Sequence, residues 1–324
     1  MTRWLGALLW LVCLFSDSAG AQPYPTRPIT IVVTSAAGGL TDVMARIVGQ
    51  RLGEAWGQQV VIENRGGAGH SIGAGAVAKA PPDGYTLMAT EAGTFVTNPN
   101  LYGRGKLPYD AEKDFAPVIG LVRLNVTLLA HPSLPVRNVG ELIELAKQKP
   151  GTISYGTAGI GTTPHMSMVL LENMAGIKLV PVHYRGAAPA LNDLIGGHIH
   201  LISMAPTIAL PQYRAGQIKM LAVGGARRLP QLAEVPTVAE SGLPGYEYAS
   251  WFGLFAPAGT PPEIVTKINA EVQRVFADPA FGERFLTPQV LEPMVSSPEE
   301  FADYVKSDTQ KWGKVISDAK LRID

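Results

Sequence analysis

The sequence has one cysteine, Cys13, few aromatic residues, and no excess of charge of either sign. A lone thiol cannot close an intramolecular disulfide, so a disulfide scaffold is excluded, and 324 residues can bury a core that needs none. Basic and acidic residues both number 27. This balance gives no electrostatic sign of a nucleic-acid partner or of an anionic membrane surface.

A long apolar run occurs only near the N-terminus, where Arg3 precedes residues 4–15 and small residues end at Ala21. The run is too short to span a bilayer, and the pattern predicts a secretory signal peptide, residues 1–21, cleaved before Gln22. Cys13 lies inside it, so the mature chain has no thiol. We therefore expect a periplasmic protein.

Beyond this segment, strands rich in Val, Ile and Leu alternate with helical patterns, which favours mostly parallel sheets with crossover helices. Strand 29–33 leads into a loop of small residues, 34–39, and then into a helix. Similar junctions recur at 154–163 and 180–190. A helix N-terminus at the end of a strand offers unpaired N–H groups and a positive dipole end, which together suit an anion. Two such sheets facing each other predict an interdomain cleft.

One motif suggests an enzyme. The segment 69–73 matches the G-x-S-x-G nucleophile elbow around Ser71, and Asp193 and His198 would complete the hydrolase order. The elbow requires its serine at a sharp strand-to-helix turn, but the preceding strand ends near Glu63 and a glycine-rich loop intervenes. We therefore predict a loop serine and no enzyme, with a secreted serine esterase as an alternative.

The sequence gives little support for a metal site or a cofactor site. His198 and His200 share one face of a strand, but no cysteine and no suitably spaced carboxylate accompanies them, so we predict no metal site. The Gly38-Gly39 pair lacks the G-x-G-x-x-G spacing and the acidic ribose anchor of a dinucleotide site. We expect no cofactor.

A series of short motifs covers nearly the whole mature chain. They are residues 28–33, Ala36-Ala37-Gly38-Gly39 with Asp42 and Ala45-Arg46, Glu63-Asn64-Arg65 with Gly67-Ala68-Gly69, residues 82–87, Leu107-Pro108-Tyr109-Asp110, Lys113-Asp114-Phe115, Tyr155-Gly156 with Gly159-Ile160-Gly161, Tyr184-Arg185-Gly186 with Pro189-Ala190, Pro236-Thr237 with Glu240-Ser241-Gly242, and residues 256–261. In order and spacing the chain resembles the Bug family, the periplasmic solute-binding proteins of tripartite tricarboxylate transporters.

The resemblance implies an α/β, two-domain, clamshell fold of the type II periplasmic-binding-protein kind, with the ligand cleft between the domains. Domain 1 would comprise residues 22–126 plus 249–324, and domain 2 residues 127–248, with crossings near 124–128 and 248–253. The implied function is capture of a small organic acid, amide or related carboxylate and its delivery to membrane permease subunits, by a monomer. A ligand-presenting partner of a membrane sensor is an alternative role.

The resemblance also implies which residues bind the ligand. They lie on the three junctions and on the segment after strand 85–89: Ala36, Ala37, Gly38, Gly39, Asp42, Thr94, Asn98, Thr157, Ala158, Gly159, Thr162, His165, Arg185, Gly186 and Ala187. The chain departs from the family at Thr34-Ser35, where proline and an aromatic residue are common, and at Leu40, where proline is frequent. These departures leave the ligand's identity open.

Three of these residues also have structural interpretations. Asp42 either contacts the ligand or complements the dipole of its own helix, with Arg46 one turn later offsetting its charge. Arg185 either binds a carboxylate through two hydrogen bonds or lies on the surface. His165, just inside a helix start, either contacts the ligand or supports the loop before it.

Overall fold

The computed structural model describes residues 24–102, 105–184 and 186–321. The predicted signal peptide, 1–21, and Arg185 lie outside these ranges. Within them, no helix combines the length and apolar character that crossing a bilayer requires.

Strands and helices alternate along most of the chain. The strands are β1 (Ile29–Val33), β2 (Val60–Asn64), β3 (Thr86–Glu91), β4 (Phe115–Asn125), β5 (Thr127–Ala130), β6 (Ser154–Thr157), β7 (Val180–His183), β8 (Leu201–Met204), β9 (Lys219–Val223), β10 (Ala249–Pro257) and β11 (Leu291–Pro293). The helices are α1 (Leu40–Trp56), α2 (Ser71–Val77), α3 (Asn98–Tyr102), α4 (Val139–Gln148), α5 (Thr163–Ala175), α6 (Ala187–Ile195), α7 (Pro206–Arg214), α8 (Pro262–Ala277), α9 (Pro279–Phe281) and α10 (Pro298–Asp318).

The first sheet has six strands in the order β11-β4-β10-β3-β1-β2. Side chains alternate along its strand β1. Ile29, Ile31 and Val33 are fully buried on the face covered by α1 and α8, whereas Val32 packs on the opposite face with Ala74 of α2. This two-sided burial explains why every residue of the strand except Thr30 is apolar.

The second sheet has five strands in the order β7-β6-β8-β5-β9. Both sheets are mixed, with β10 and β11 opposing the other four strands of the first sheet and β5 opposing the other four of the second, so most strands of each run parallel as expected. Parallel pairs form between β1 and its two neighbours and between β6 and its two neighbours. The strands that carry the chain out of a sheet and back into it, β4 with β10 and β5 with β9, pair antiparallel because they run in opposite directions between the halves.

The chain crosses between the two sheets at two adjacent places. Val126 separates β4 from β5, and residues 224–248 lie between β9 and β10. The Gly224 N–H donates to the Val126 carbonyl at 2.7 Å, and the Tyr248 N–H donates to the Gly224 carbonyl at 2.8 Å. A side chain at Gly224 would place its Cβ 2.8 Å from Val126 Cγ2, so only glycine fits there. We propose that the domain boundaries, 22–126 plus 249–324 and 127–248, follow these crossings.

The last helix, α10, contacts both halves. It begins with a capping box in which Ser297 and Glu300 exchange hydrogen bonds. The Trp312 ring packs edge-on against Tyr248, with 5.0 Å between ring centroids. Near the helix end, the Val315 carbonyl accepts a 3.2 Å hydrogen bond from Asn173 of α5.

Candidate functional site

A cavity of about 280 Å³ lies between the two halves. The first half contributes the loop before α2 and the segment from the end of β3 through α3, and the second half contributes the loop before α5 and its first turn. Residues 248–250 and α10 complete the wall. The volume is close to the lower end of small-molecule sites, about 300 Å³.

The wall mixes apolar and polar groups. Val96, Leu101, Ile160, Met166 and Trp312 supply apolar surface, while Thr97, Asn98, Thr162, Thr163 and Ser250 supply hydroxyl or amide groups. His70, Glu91 and Asp308 are its charged side chains, and no lysine or arginine lies on the wall in the part of the chain that the structure describes. A few polar groups among apolar ones are typical of small-molecule recognition.

Two of the predicted site residues line this cavity, one from each half: Asn98 and Thr162. The Asn98 amide donates to the Gly69 carbonyl and thereby joins α3 to the loop before α2. Thr94 is buried behind the wall, where its hydroxyl lies 2.6 Å from that of Thr90 and its carbonyl accepts from Tyr109 at 2.7 Å. Thr94 therefore supports the wall.

The first junction does not reach the cavity wall within the described residues. Ala36, Ala37, Gly38 and Gly39 are exposed at the start of α1, which has no side-chain cap. The Gly38 N–H donates to Asp42, and these four exposed residues lie off the described cavity wall, where solvent or a ligand can reach them.

Asp42, by contrast, has partners within its own half. Its carboxylate accepts from the Gly38 N–H at 2.9 Å, from Arg46 Nε at 3.0 Å and from Asn64 Nδ2 at 2.9 Å. Burial raises the Asp42 pKa, but the bonds from Arg46, Gly38 and Asn64 outweigh it and hold the pKa below its usual value. The geometry favours the interpretation that Asp42 closes the first loop.

The second junction is organised by internal hydrogen bonds. The Thr157 hydroxyl accepts from the Gly159 N–H at 3.1 Å, and the Thr162 hydroxyl donates to the Gly159 carbonyl at 2.7 Å. His165 Nδ1 accepts from the Gly161 N–H at 3.1 Å. Burial, assisted by nearby His183, lowers the His165 pKa to about 4, so the ring is neutral. His165 thus supports the loop, and neither it nor Thr157, Ala158 or Gly159 is among the described residues of the wall.

This loop touches the first half across the cavity. Gly161 has a φ of +77°, and a Cβ there would lie 2.7 Å from Leu101 Cδ1 and 3.3 Å from Thr97 Cγ2. At the third junction, Gly186 precedes α6 with a φ of +125° and Ala187 begins it. Neither is found among the cavity-lining residues described.

Apart from Asn98 and Thr162, the residues of the wall escaped the sequence analysis as ligand contacts, among them His70, Glu91, Tyr248 and Asp308. His70 carried a weak signal, since an ionisable side chain in a glycine-rich loop is unusual. The sequence analysis, however, considered His70 only as part of the elbow motif. The others lie on separate segments, and only the fold brings them together.

The elbow motif itself is not assembled. Ser71 begins α2 after a loop, whereas Asp193 belongs to α6 of the second half and accepts a 2.6 Å hydrogen bond from Tyr184. His198, the motif's histidine, is exposed, and His200, predicted to share a strand face with it, uses Nδ1 to accept from the Ser154 N–H at 3.0 Å. Among the residues described, no three histidine, cysteine or acidic side chains gather as a metal site would need.

Comparison with known proteins identifies the family. The family model described as tripartite tricarboxylate transporter family receptor, TctC, matches residues 44–321. The chain belongs to this family. The protein BugT of Bordetella pertussis is 32% identical over 330 residues, which cover 100% of this chain and 99% of BugT. The resemblance to the Bug family is therefore confirmed.

Solved structures of TctC relatives show the same fold. The R. palustris protein Rpa4515 with adipate is 40% identical, with a TM-score of 0.79, and the match covers 92% of this chain and 99% of that one. MatC from Rhodopseudomonas palustris with bound malate is 33% identical, with a TM-score of 0.74 and coverages of 90% and 100%. The predicted two-domain clamshell fold is confirmed, and the family's proteins are periplasmic solute-binding receptors.

Proposed function

We propose that this protein captures a small organic acid, amide or related carboxylate in the periplasm and delivers it to the membrane permease subunits of a tripartite tricarboxylate-type transporter. The observation that carries the proposal is the cavity enclosed by both halves, because a solute held there favours the closed conformation that a permease can recognise. Relatives with adipate and with malate support the carboxylate class.

The wall supplies suitable donors for a carboxylate. Thr162 and Thr163 stand at the N-terminus of α5, where the helix dipole is positive, and the hydroxyls of Thr97 and Ser250 lie on the same cavity. We propose Asn98 and Thr162 as direct contacts. We propose that Thr94, Asp42 and His165 act by holding loops, and that residues 36–39, 157–159 and 185–187 contribute to ligand binding from off the cavity wall.

The family and its structural neighbours are solute-binding proteins rather than enzymes. We propose that this chain likewise performs no catalysis. An active-site fluorophosphonate probe should leave Ser71 unlabelled in the purified protein, and stoichiometric labelling would support the esterase alternative instead.

A thermal-shift screen of carboxylates, amides and amino acids tests the proposal. A true ligand at 100 times its dissociation constant stabilises the folded state by about 2.7 kcal/mol. Calorimetry on Thr162→Ala should then show weakened binding. Thr152→Ala is the matched control, because the Thr152 hydroxyl also donates to a carbonyl three residues earlier, at 2.8 Å, but Thr152 is not part of the cavity wall. Equal affinities for the two variants would remove Thr162 from the site.

Export is tested separately. The mature protein purified from the periplasm should begin at Gln22 by mass spectrometry, and an uncleaved chain would contradict the predicted signal peptide.

A further inference from the structure

An ion pair stands on the cavity wall where the first half contributes its loop and the end of β3. His70 Nε2 lies 2.8 Å from Glu91 Oε1, and the two side chains are 21% and 27% exposed. Both residues line the cavity. A ligand enclosed there therefore meets this pair directly.

The contacts of His70 favour its charged form, since the only hydroxyl near the ring among the described residues, that of Thr34, lies 3.4 Å from Nδ1 and the closer partners are acceptors. Nδ1 lies 3.1 Å from the carbonyl of Thr34, which can only accept, and Nε2 faces the Glu91 carboxylate, which also accepts. Both ring nitrogens must carry hydrogen for both bonds to form. Burial lowers the His70 pKa, but the Glu91 carboxylate and the Thr34 carbonyl raise it by more, so the pKa lies above its ordinary value.

The pair presents acceptors, and no donor, to the cavity. Both N–H groups of the imidazolium are used within the protein. Glu91 uses Oε1 for His70, and its Oε2 has no hydrogen-bond partner among the described residues. The unused hydrogen-bonding group at this part of the wall is thus a carboxylate oxygen, an acceptor.

A second carboxylate acts on the same region. Asp308 lines the cavity from α10 and accepts a 2.8 Å hydrogen bond from Trp251 Nε1. Burial raises the pKa of Tyr248, a hydrogen bond with Thr163 lowers it, and the negative charges of Asp308 and Glu91, which line the same cavity, raise it by smaller amounts. Lys311 and Arg123 act on Asp308 from outside the wall, and His70 pairs with Glu91, but no lysine or arginine lies on the described part of the wall itself.

We propose that Glu91 is a specificity-determining residue of the cavity, accepting a hydrogen bond from an N–H group of the ligand, either an ammonium or an amide, while the hydroxyl and backbone donors hold the ligand's carboxylate. The site therefore prefers amino- or amide-bearing carboxylates to dicarboxylates. This inference rests on the proposed function and distinguishes the chain from its relative with adipate. A second ligand carboxylate would face Glu91 without a donor between them, which is unfavourable in a largely enclosed cavity.

Three probes of similar length test this preference by calorimetry: adipate, the monoamide of adipate, and 6-aminohexanoate. At pH 7 the wild type should bind the monoamide and 6-aminohexanoate at least ~10-fold more tightly than adipate, since one hydrogen bond to a charged group is at stake. Equal or tighter binding of adipate would overturn the inference and leave the proposed function standing.

Two variants should shift the preference in opposite directions. Glu91→Gln removes the negative charge with little change of shape, so the ratio of adipate to 6-aminohexanoate affinity should rise ~10-fold or more. His70→Gly removes the counter-ion and suits the φ of +77° at this position, so the same ratio should fall. Circular dichroism shows whether each variant folds, and one folded variant, Glu91→Gln or His70→Gly, is sufficient to test the preference.

Glu63→Gln is the matched control, because Glu63 pairs with Arg65 at 2.8 Å on the exposed end of β2. Its affinity ratio should equal that of the wild type. An unchanged ratio in both Glu91→Gln and His70→Gly would contradict the assignment of Glu91. Failure of all three probes to bind the wild type would also contradict it, whereas the proposed function falls only if the wider screen of carboxylates fails as well.

Discussion

His165 supports the loop before α5 through a lone pair, which makes the loop sensitive to acid. Its Nδ1 accepts from the Gly161 N–H, and the ring is 4% exposed. Protonation at Nδ1 would turn this acceptor into a donor that faces another donor. The folded protein therefore resists protonation of this ring, as its lowered pKa reflects.

This property predicts a pH dependence of stability. The folded pKa of His165 is about 4, below the ordinary 6.5, so between these pH values the unfolded state binds a proton that the folded state does not. The free energy of unfolding should fall by at most about 1.4 kcal/mol per pH unit as the pH decreases through this window. In His165→Asn, Oδ1 takes the place of Nδ1 as acceptor, so urea denaturation should show a flatter pH profile. Parallel profiles would contradict this role.

We expect the Asp42 side chain to contribute more to the free energy of unfolding than an exposed acidic side chain does. Removing its carboxylate in Asp42→Ala leaves the Gly38 N–H, Arg46 and Asn64 without their shared acceptor, and should cost about 2–3 kcal/mol of unfolding free energy. Glu54→Ala is the control, because Glu54 pairs with Arg51 on the exposed side of the same helix and should cost less than about 1 kcal/mol. Similar losses in denaturant titrations would show that Asp42 is an ordinary surface acid.

The sequence could indicate the loops of the site but not the whole wall. Asn98 and Thr162 were found because the family resemblance assigns ligand contacts to the segment after β3 and to the loop before α5. Glu91 and Asp308 lie on β3 and α10, far apart in sequence, and no local pattern connects them. Their proximity to Tyr248 follows from strand pairing and helix packing over long distances.

Among the elements, we expect the loop between β6 and α5 to limit how closely the halves approach, because Gly161 lies against Leu101. Gly161→Ala would place a methyl group against Leu101 of the opposite half and should hold the cleft partly open. Gly176→Ala is the matched control at the other end of α5, where φ is +62° but nothing lies within 4 Å of a Cβ.

We expect both alanine variants to lose about 1–2 kcal/mol of stability from the left-handed backbone, measured by denaturation. Calorimetry with the ligand identified by the screen should show weaker binding for Gly161→Ala alone, and Leu101→Ala in the same chain should restore part of it. Equal affinities for Gly161→Ala and Gly176→Ala would mean that this contact does not limit closure.

The strand-loop-helix junctions were predictable because each depends on neighbours in sequence. Strand β1 and the start of α1 at Leu40 lie where the apolar pattern and small residues place them. The antiparallel pairing of β4 with β10 was not predictable, because the whole second half of the fold lies between these strands in sequence. Hydrophobic periodicity identifies a strand but not its partner.

At the scale of the whole molecule, binding should be coupled to closure. Val126 and Gly224 form a narrow crossing that can absorb rotation while each sheet stays rigid. Saturation with ligand should reduce the radius of gyration in X-ray scattering without changing the circular dichroism spectrum.

Labels give an independent measure of this motion. Because the only native cysteine lies in the predicted signal peptide, cysteines introduced at the exposed residues Lys79 and Gln217 can be labelled without background in the mature chain. The distance between these labels should change on saturation with ligand. If neither this distance nor the radius of gyration changes, the clamshell mechanism does not apply to this chain.

Helix α10 adds a third connection between the halves. Two adjacent strand crossings alone would permit one half both to bend and to twist relative to the other. Twisting, however, would slide Val315 away from Asn173 and Trp312 away from Tyr248. We therefore expect the halves to move with a single rotational degree of freedom, so that the rim of the cavity furthest from α10 separates widest and the solute enters and leaves by that side.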